Sequence, residues 1–365
     1  YFCQWARTGC TRASSARFGG AQTSQSHFGA VKPEYHGTAK PLAKIVIVNM
    51  LLNLITMGFY RFWGKTRLRR HLWSSISFQG DALEYTGTAK ELFVGFLIAM
   101  TVLVPLGVLI NLADLFSPVD MITTVQIIQL VSAVIFLFLI QFAIYRARRY
   151  RLTRTTWRGI RGGQTGSAVR YALISMGHVV LLGLSLGLTM AWMNTTLERI
   201  KMNNTWLGDR KFSFDGSAGK LFKSWFFAWL LFIPTLGLSL TWYKVAEWRY
   251  FTKSTRYENL RFELNARGGQ LFKIQILFML AMLGVMAIFG IIFAGSIVGY
   301  VAAQGGGADL SQSMVLQYLA PAVSVIAMFF IMGVLTVVMV IHPLVRLMTN
   351  NLSVIGDQDF AAIAQ

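Results

Sequence analysis

Long apolar runs are the feature that most constrains how this chain can fold. Seven stretches carry almost no charged side chains, and they cover approximately residues 43–60, 91–111, 121–145, 169–192, 222–242, 272–300 and 315–341. A helix needs roughly 20 residues, at about 1.5 Å each, to cross a lipid hydrocarbon core. Because the runs are continuously apolar and not alternating, they exclude a β-barrel. We therefore predict an all-α, polytopic helical membrane protein.

The placement of the basic residues predicts the orientation of these helices. The formal net charge of +19 would suggest nucleic-acid binding in a soluble protein. However, the 34 Lys and Arg lie outside the apolar segments or at the second residue of one, and the connections 111–121 and 301–313 contain none of them. This asymmetry follows the positive-inside rule. We therefore expect these two loops outside the cytoplasm, the C-terminus inside it, and no nucleic-acid partner.

A pattern of glycine, tryptophan and arginine recurs three times with the same spacing. Three segments begin with Gly-Thr/Ser-Ala at Gly37, Gly166 and Gly216. At fixed distances they continue with Gly58, Gly187 and Gly237, then with Trp63, Trp192 and Trp242, and then with Arg70, Arg199 and Arg249. Two weaker copies begin at Gly87 and Ala266, each holds one additional apolar segment, and they end with Arg149 and Arg346. The sequence therefore predicts about five repeat units.

The order of the units predicts a domain organisation, because units one and two resemble units four and five. We expect two parallel three-segment halves around one linker helix. The predicted parts are a polar N-terminal tail (1–32), a first membrane half with units 1 and 2 (33–160), linker unit 3 (161–213), a second half with units 4 and 5 (214–356), and a C-terminal tail (357–365). Parallel repeats of this kind occur in transporters. Since the first residue is Tyr1 and not Met, we expect the sequence to be part of a longer one.

The three repeated glycines Gly58, Gly187 and Gly237 follow a Thr or Ser by two positions and interrupt the apolar runs. Glycine costs about 1 kcal/mol in a helix interior, so we expect a break at each of them. Two topologies remain open. Either all seven segments cross the membrane, as their length favours, or three of them enter and return while four cross, as the distribution of Lys and Arg favours.

The repeated strings resemble a known family. ITMGFYRFWGKTRLRRHLWSS, PTLGLSLTWYKVAEWRYFTKSTRY and FSFDGSAGKLFK are similar to the YjgN-like family of bacterial inner-membrane proteins, a domain of unknown function. The resemblance covers about residues 33–365. The sequence departs from the pattern at Phe142 and Met339, where tryptophan is expected. The resemblance implies a location in the bacterial cytoplasmic membrane and implies no activity.

The repeated basic and aromatic residues are candidates for lipid binding. Arginine forks bind phosphate groups, and tryptophan rings prefer the headgroup level of a membrane. The candidates for contact with anionic phospholipid are Arg70, Arg149, Arg199, Arg249 and Arg346, with Trp63, Trp192 and Trp242. The same arginines could instead serve only to orient the chain and to compensate the helix dipoles.

Catalytic or metal-binding apparatus is not visible in the sequence. His178 is the only histidine inside an apolar segment, and it has no Cys, carboxylate or second His nearby. We expect no enzyme activity, no metal and no cofactor. The centres of the apolar segments also lack Asp and Glu, which argues against ion coupling. Two functions remain open: a facilitator-type transporter or lipid-handling protein, and a structural or accessory subunit that partners other membrane protein subunits.

Overall fold

The computed structural model describes residues 30–116, 122–305 and 320–356. Most of the predicted N-terminal tail, the predicted C-terminal tail, and parts of the loops 111–121 and 301–313 lie outside these residues, so the orientation expected for both loops stays a prediction. The chain divides into two compact units. Of the described residues, the first unit contains those up to His36, those in Arg69–Gly268 and those from Met348 to Gly356, and the second contains those in Gly37–Leu68 and Gly269–Leu347.

Helices form most of the described chain. In chain order they are α1 (Ala39–Ile55), α2 (Arg61–Ser74), α3 (Ala89–Phe116), α4 (Ile122–Thr153), α5 (Ala168–Leu184), α6 (Met190–Asn203), α7 (Ala218–Leu230), α8 (Ser239–Lys253), α9 (Gly268–Gly305), α10 (Ala320–Leu335) and α11 (His342–Asn350). A π-helical turn at Thr336–Ile341 joins α10 to α11. Helices α1, α3, α5 and α7 each begin directly after a Gly-Thr/Ser pair. Thr88 and Glu91 form a capping box at the start of α3, since each accepts a hydrogen bond from the other's amide.

Four helices within the described residues are long and apolar enough to cross a membrane. They are Ala89–Leu112 in α3, Gln126–Thr153 in α4, Gly268–Gly299 in α9, and Ala322–Asn350, which runs from α10 through the π-helical turn into α11. Almost none of their apolar residues are buried inside the protein. An apolar surface of this size requires lipid or another apolar surface around it.

The other three predicted apolar segments do not form continuous helices. Segments 169–192 and 222–242 are divided between two short helices, and segment 43–60 lies in one short helix and the turn that leads to the next. The pairs are α1/α2, α5/α6 and α7/α8. Each turn contains one of the repeated glycines with positive φ, namely Gly58 (92°), Gly187 (94°) and Gly237 (81°). The amides of these glycines donate to the carbonyls of Asn53, Leu182 and Phe232, which is the long hydrogen bond of a Schellman cap. Caps of this kind end α1 and α5, whereas α7 already ends at Leu230 and the bond of Gly237 closes the turn that follows it.

The Thr or Ser two residues before each glycine starts the second helix of the pair. The hydroxyls of Thr56, Ser185 and Thr235 accept hydrogen bonds from the amides of Tyr60, Thr189 and Ser239, respectively. These amides lie at helix starts, where backbone donors lack intrahelical partners. The Thr/Ser-x-Gly string therefore closes the turn between the two helices and begins the second helix of each pair.

The all-α prediction is wrong, because short strands connect the helices. They are β1 (Glu34–Tyr35), β2 (Ile76–Phe78), β3 (Asp81–Ala82), β4 (Glu84–Tyr85), β5 (Thr155–Trp157), β6 (Ile160–Gln164), β7 (Thr205–Leu207), β8 (Arg210–Phe214), β9 (Thr255–Tyr257), β10 (Leu260–Leu264) and β11 (Leu352–Ile355). All of them belong to the first compact unit. Four two-residue loops close hairpins, and the loops Gln79–Gly80 and Arg158–Gly159 have positive φ at both positions, as in type I′ turns.

The strands pair antiparallel in a cyclic order. Eight of them form one sheet from β4 to β11, and β1, β2 and β3 form another. Only Leu83 separates β3 from β4, and Val31, three residues before β1, pairs with Val354 of β11. If β3 and β4 are counted as one extended segment and Val31 is counted with β1, every extended segment among the described residues is hydrogen-bonded to a neighbour on both sides. We call this arrangement the strand ring.

Large apolar side chains from distant strands fill the interior of the strand ring. A residual cavity of only about 10 Å³ is lined by Phe78, Leu207, Phe212, Tyr257, Leu260, Phe262 and Val354. Burial raises the pKa of Tyr257 to about 12, so its hydroxyl stays protonated and donates to the Leu207 carbonyl at 2.8 Å. The ring is therefore held by a packed core as well as by its ladder of hydrogen bonds.

Candidate functional site

The turns of the three helix pairs present apolar side chains at the protein surface. Met57, Leu186 and Leu236 precede the turn glycines and are 92%, 79% and 93% exposed. Ile55, Leu184 and Ile233 in the same turns are also exposed. Contiguous exposed apolar side chains of this size mark contact with lipid or with another protein. We call these three turns the apolar tips.

The residues predicted to bind lipid lie at the protein surface. Arg70, Arg149, Arg199, Arg249 and Arg346 are all exposed. Trp63, Trp192 and Trp242 are between 41% and 48% exposed. One of the arginines, Arg199, also donates a hydrogen bond to the Gly216 carbonyl at 2.6 Å. Their accessibility is what lipid contact requires, and whether they bind lipid stays a prediction.

A polar cavity of about 250 Å³ lies within the first unit, where residues of α4, α5, α6 and α8 come together. Two lysines and two glutamates line it, and we call it the four-charge cavity. The charged residues are Glu198 and Lys201 on α6 and Lys244 and Glu247 on α8. The cavity is also lined by polar and aromatic side chains, namely Gln141, Tyr171, Asn194, Trp248 and Thr252.

Glu247 is buried at one side of this cavity and is held by three side chains. Asn194 Nδ2 donates to its Oε1 across from α6 at 2.5 Å, and the Tyr243 hydroxyl donates to the same oxygen at 3.0 Å. Lys244 Nζ lies 2.5 Å from Oε2. Burial, with the Glu247 charge beside it, raises the pKa of Tyr243 far above its ordinary value. The hydroxyl therefore remains a donor, and the carboxylate is fixed in position.

Glu198 and Lys201 form the second ion pair of the cavity, with Nζ 2.6 Å from Oε2. Behind it, Arg148 of α4 is buried and donates to Gln164 Oε1 at 2.5 Å and to Thr205 Oγ1 at 3.0 Å. Buried charges of this kind are stable only when they are paired and hydrogen-bonded. Arg148 thus joins α4 to the strands β6 and β7.

Sequence reasoning missed every charged residue of this cavity. Glu198 and Glu247 lie in mixed, amphipathic stretches beyond the apolar runs, which favoured an interfacial interpretation. A usable signal was present in the spacing, since each glutamate stands three residues from a lysine on the same helix face. The burial of both carboxylates depends on neighbouring helices, and the local sequence carries no signal for this burial.

Comparisons with known proteins agree with the membrane character of the chain. Inner membrane protein YjgN of Escherichia coli (strain K12) is 33% identical over 76 residues, which is 19% of this chain and 19% of that protein. Its counterpart in Escherichia coli O157:H7 is 31% identical over 64 residues, which is 18% of this chain and 16% of that protein. The chain thus aligns with about a fifth or less of the length of these curated relatives. No solved structure matches.

The family comparison covers nearly all of the described chain. The model of a bacterial protein family of unknown function, DUF898, matches residues 31–235 and again residues 227–364. The two matches include the strand ring, the apolar tips and the four-charge cavity. The chain belongs to this YjgN-like family of bacterial inner-membrane proteins.

Proposed function

We propose that this protein crosses the bacterial cytoplasmic membrane four times and handles anionic lipid at its cytoplasmic face. The crossing helices are α3, α4, α9 and the continuous run of α10 and α11. The pairs α1/α2, α5/α6 and α7/α8 enter the membrane from the cytoplasmic side and return. The strand ring and the C-terminus then lie in the cytoplasm.

Strand pairing is the observation that carries this topology. β1 pairs with β2 although segment 43–60 lies between them, and β6 pairs with β7 across segment 169–192. Likewise β8 pairs with β9 across segment 222–242. Paired strands are about 5 Å apart, whereas a hydrocarbon core is about 30 Å thick. A segment flanked by paired strands must therefore return to the side from which it entered.

The exposed tips and arginines support the lipid part of the proposal. Apolar tips that enter the cytoplasmic leaflet would bury side chains that are otherwise exposed to water. The cytoplasmic leaflet carries anionic lipids, and each basic residue near its surface contributes about 1 kcal/mol. The repeated arginines and tryptophans sit on the helices that follow the tips or on the ends of the long helices. This placement supports a role as a facilitator-type transporter or as a lipid-handling protein.

Five repeat units form part of the proposal. Three observations support the five repeat units. A helix followed by a strand hairpin recurs along the chain, the three turns are alike, and the strands pair in a cyclic order. The predicted grouping into two parallel halves around a linker unit belongs to the same proposal. A structural or accessory role remains the second candidate, since the long faces of α3 and α9 are unburied and suit a neighbouring subunit as well as lipid.

Cysteine accessibility tests the topology. In a background with Cys3 and Cys10 replaced by serine, Ser217→Cys should be protected from an impermeant thiol reagent on intact cells and should react after permeabilisation. Ser217 is exposed at the start of α7, so burial in the protein does not protect it. Ser117→Cys, in a predicted outer loop, should react on intact cells. Labelling of Ser217→Cys on intact cells would instead support seven crossings.

Native mass spectrometry tests the lipid contacts. Replacing Arg70, Arg149, Arg199 and Arg249 together with glutamine should remove most of the retained anionic phospholipid and leave neutral lipid little changed. The reason is that four charges of about 1 kcal/mol each are lost, while much of each side-chain stem remains.

A matched control separates lipid contact from general charge. Exposed basic residues on the strands can be replaced with glutamine in the same number, namely Arg161, Lys211, Arg256 and Arg261. This variant should retain as much anionic lipid as the parent. If the first variant also retains it, the repeated arginines serve only orientation, and the lipid proposal is wrong.

A further inference from the structure

The four-charge cavity is not explained by lipid contact at the surface arginines. Its formal charge is zero, because Glu198 and Glu247 balance Lys201 and Lys244. Placing four ionised groups around one small space costs solvation free energy that well-packed apolar residues would not cost. Such an arrangement points to a ligand that uses both signs of charge.

Thr252 gives an independent sign of a missing ligand. It lines the cavity, only 2% of its surface is exposed, and its hydroxyl has no hydrogen-bond partner among the residues that the structure describes. Buried hydroxyls in folded proteins almost always have a partner. The hydroxyl oxygen itself is covered, so a bound molecule in the cavity would supply the partner once the Thr252 side chain turns toward it.

We propose that the four-charge cavity binds a small zwitterion that carries an ammonium group and an acidic group. In both ion pairs the lysine is more exposed than the glutamate, with side-chain exposures of 18% against 9% for Lys201 and Glu198, and 46% against 3% for Lys244 and Glu247. The lysines can therefore turn toward the acidic group of a ligand, while the fixed carboxylates receive its ammonium. Trp248 also lines the cavity, and an aromatic ring of this kind can contact an ammonium group.

The volume limits the ligand. Typical pockets for drug-sized molecules enclose about 300–1,000 Å³, and this cavity encloses about 250 Å³. A free amino-acid-sized solute fits this limit, and so does the headgroup of an ethanolamine phospholipid. Both share the same zwitterionic chemistry. The site is separate from the surface arginines, so it does not depend on the proposed lipid contacts.

Equilibrium dialysis on the full chain in lipid nanodiscs tests the proposal. The probes are two zwitterions, phosphoethanolamine and β-alanine, and two compounds with charge of only one sign, ethanolamine and inorganic phosphate. A zwitterion should bind saturably and at least about tenfold more tightly than either compound with one sign of charge, because each of these leaves the lysines or the glutamates of the cavity without a ligand contact. Nanodiscs with and without phosphatidylethanolamine distinguish the sources. Competition by the lipid identifies a headgroup ligand, and its absence identifies a free solute.

Two variants locate the site. Glu247→Gln keeps the side-chain dimensions and removes the charge, so zwitterion binding should weaken at least about tenfold. Thr252→Val removes only the hydroxyl without a partner, so the fold loses no hydrogen bond and binding should weaken about three- to tenfold. Thr196→Val on α6 and Glu263→Gln on β10, which do not line the cavity, are the matched controls and should bind like the parent.

The result that overturns the proposal is specific. Binding of zwitterions no tighter than that of ethanolamine or phosphate would exclude the ligand class. Equal binding by Thr252→Val and the parent would exclude the location, and this variant remains informative even if Glu247→Gln fails to fold.

Discussion

Replacing Arg148 with methionine should lower the free energy of unfolding by about 3–5 kcal/mol, because it removes one partner from a buried, hydrogen-bonded charge network. Gln164 Oε1 and Thr205 Oγ1 would lose a charged donor, and the Lys201 carbonyl would lose a contact at 3.3 Å. The attraction between Arg148 and the carboxylate of Glu198 would also disappear. Unfolding in mixed detergent micelles, followed by circular dichroism, measures the change.

The adjacent residue provides the control for this measurement. Arg149 is exposed on the same helix, so Arg149→Met removes the same charge and should change the free energy of unfolding by about 0.5 kcal/mol or less. Equal losses for both variants would mean that the buried network does not contribute to stability in the way described.

Replacing Trp157 with alanine should cost about 3–5 kcal/mol of unfolding free energy, as large-to-small changes of buried aromatic residues usually do. Its side chain is 0% exposed and belongs to the strand ring. It packs against Phe78 with ring centroids 5.7 Å apart, and the guanidinium carbon of Arg158 lies 5.0 Å from its ring centroid. The same unfolding experiment applies, with the shift in midpoint as the readout.

Trp63→Ala is the matched control for the loss of a tryptophan. Trp63 is 42% exposed and makes a stacked contact with Tyr60. Its replacement should cost about 1 kcal/mol or less. A small effect of Trp157→Ala would contradict the view that the ring interior is a close-packed core.

The buried charges of the four-charge cavity change what the chain can do. The absence of Asp and Glu from the centres of the apolar runs argued against ion coupling. The structure instead places Glu198 and Glu247 in the short helices α6 and α8, where neighbouring helices bury them. The four charged side chains of the cavity therefore lie in the helices that follow the apolar tips, and not in the long helices that are candidates for crossing.

The turns between paired helices show what the local sequence can predict. The expected breaks at Gly58, Gly187 and Gly237 fall in the turns between paired helices, because positive φ favours glycine. The Lys and Arg distribution allowed two topologies, and the repeat spacing could not decide between them. Strand pairing favours the topology with four crossings. This pairing joins residues that are far apart in the chain. The pair β10 and β11 has almost 90 residues between its strands, as the partners Leu264 and Leu352 illustrate.

The strands could not be predicted because each has two to five residues, too few for a periodic pattern to stand out from the amphipathic stretches around it. The four-charge cavity was missed for a related reason, since Glu247 is held by a contact from a distant part of the chain, where Asn194 of α6 donates to its carboxylate. The sequence by itself determined the membrane character, the helix breaks and the family, because apolar length, glycine conformation and residue spacing are local properties. Only the tertiary structure decided the strand ring and the cavity, because both are made of contacts between residues that the chain order keeps apart.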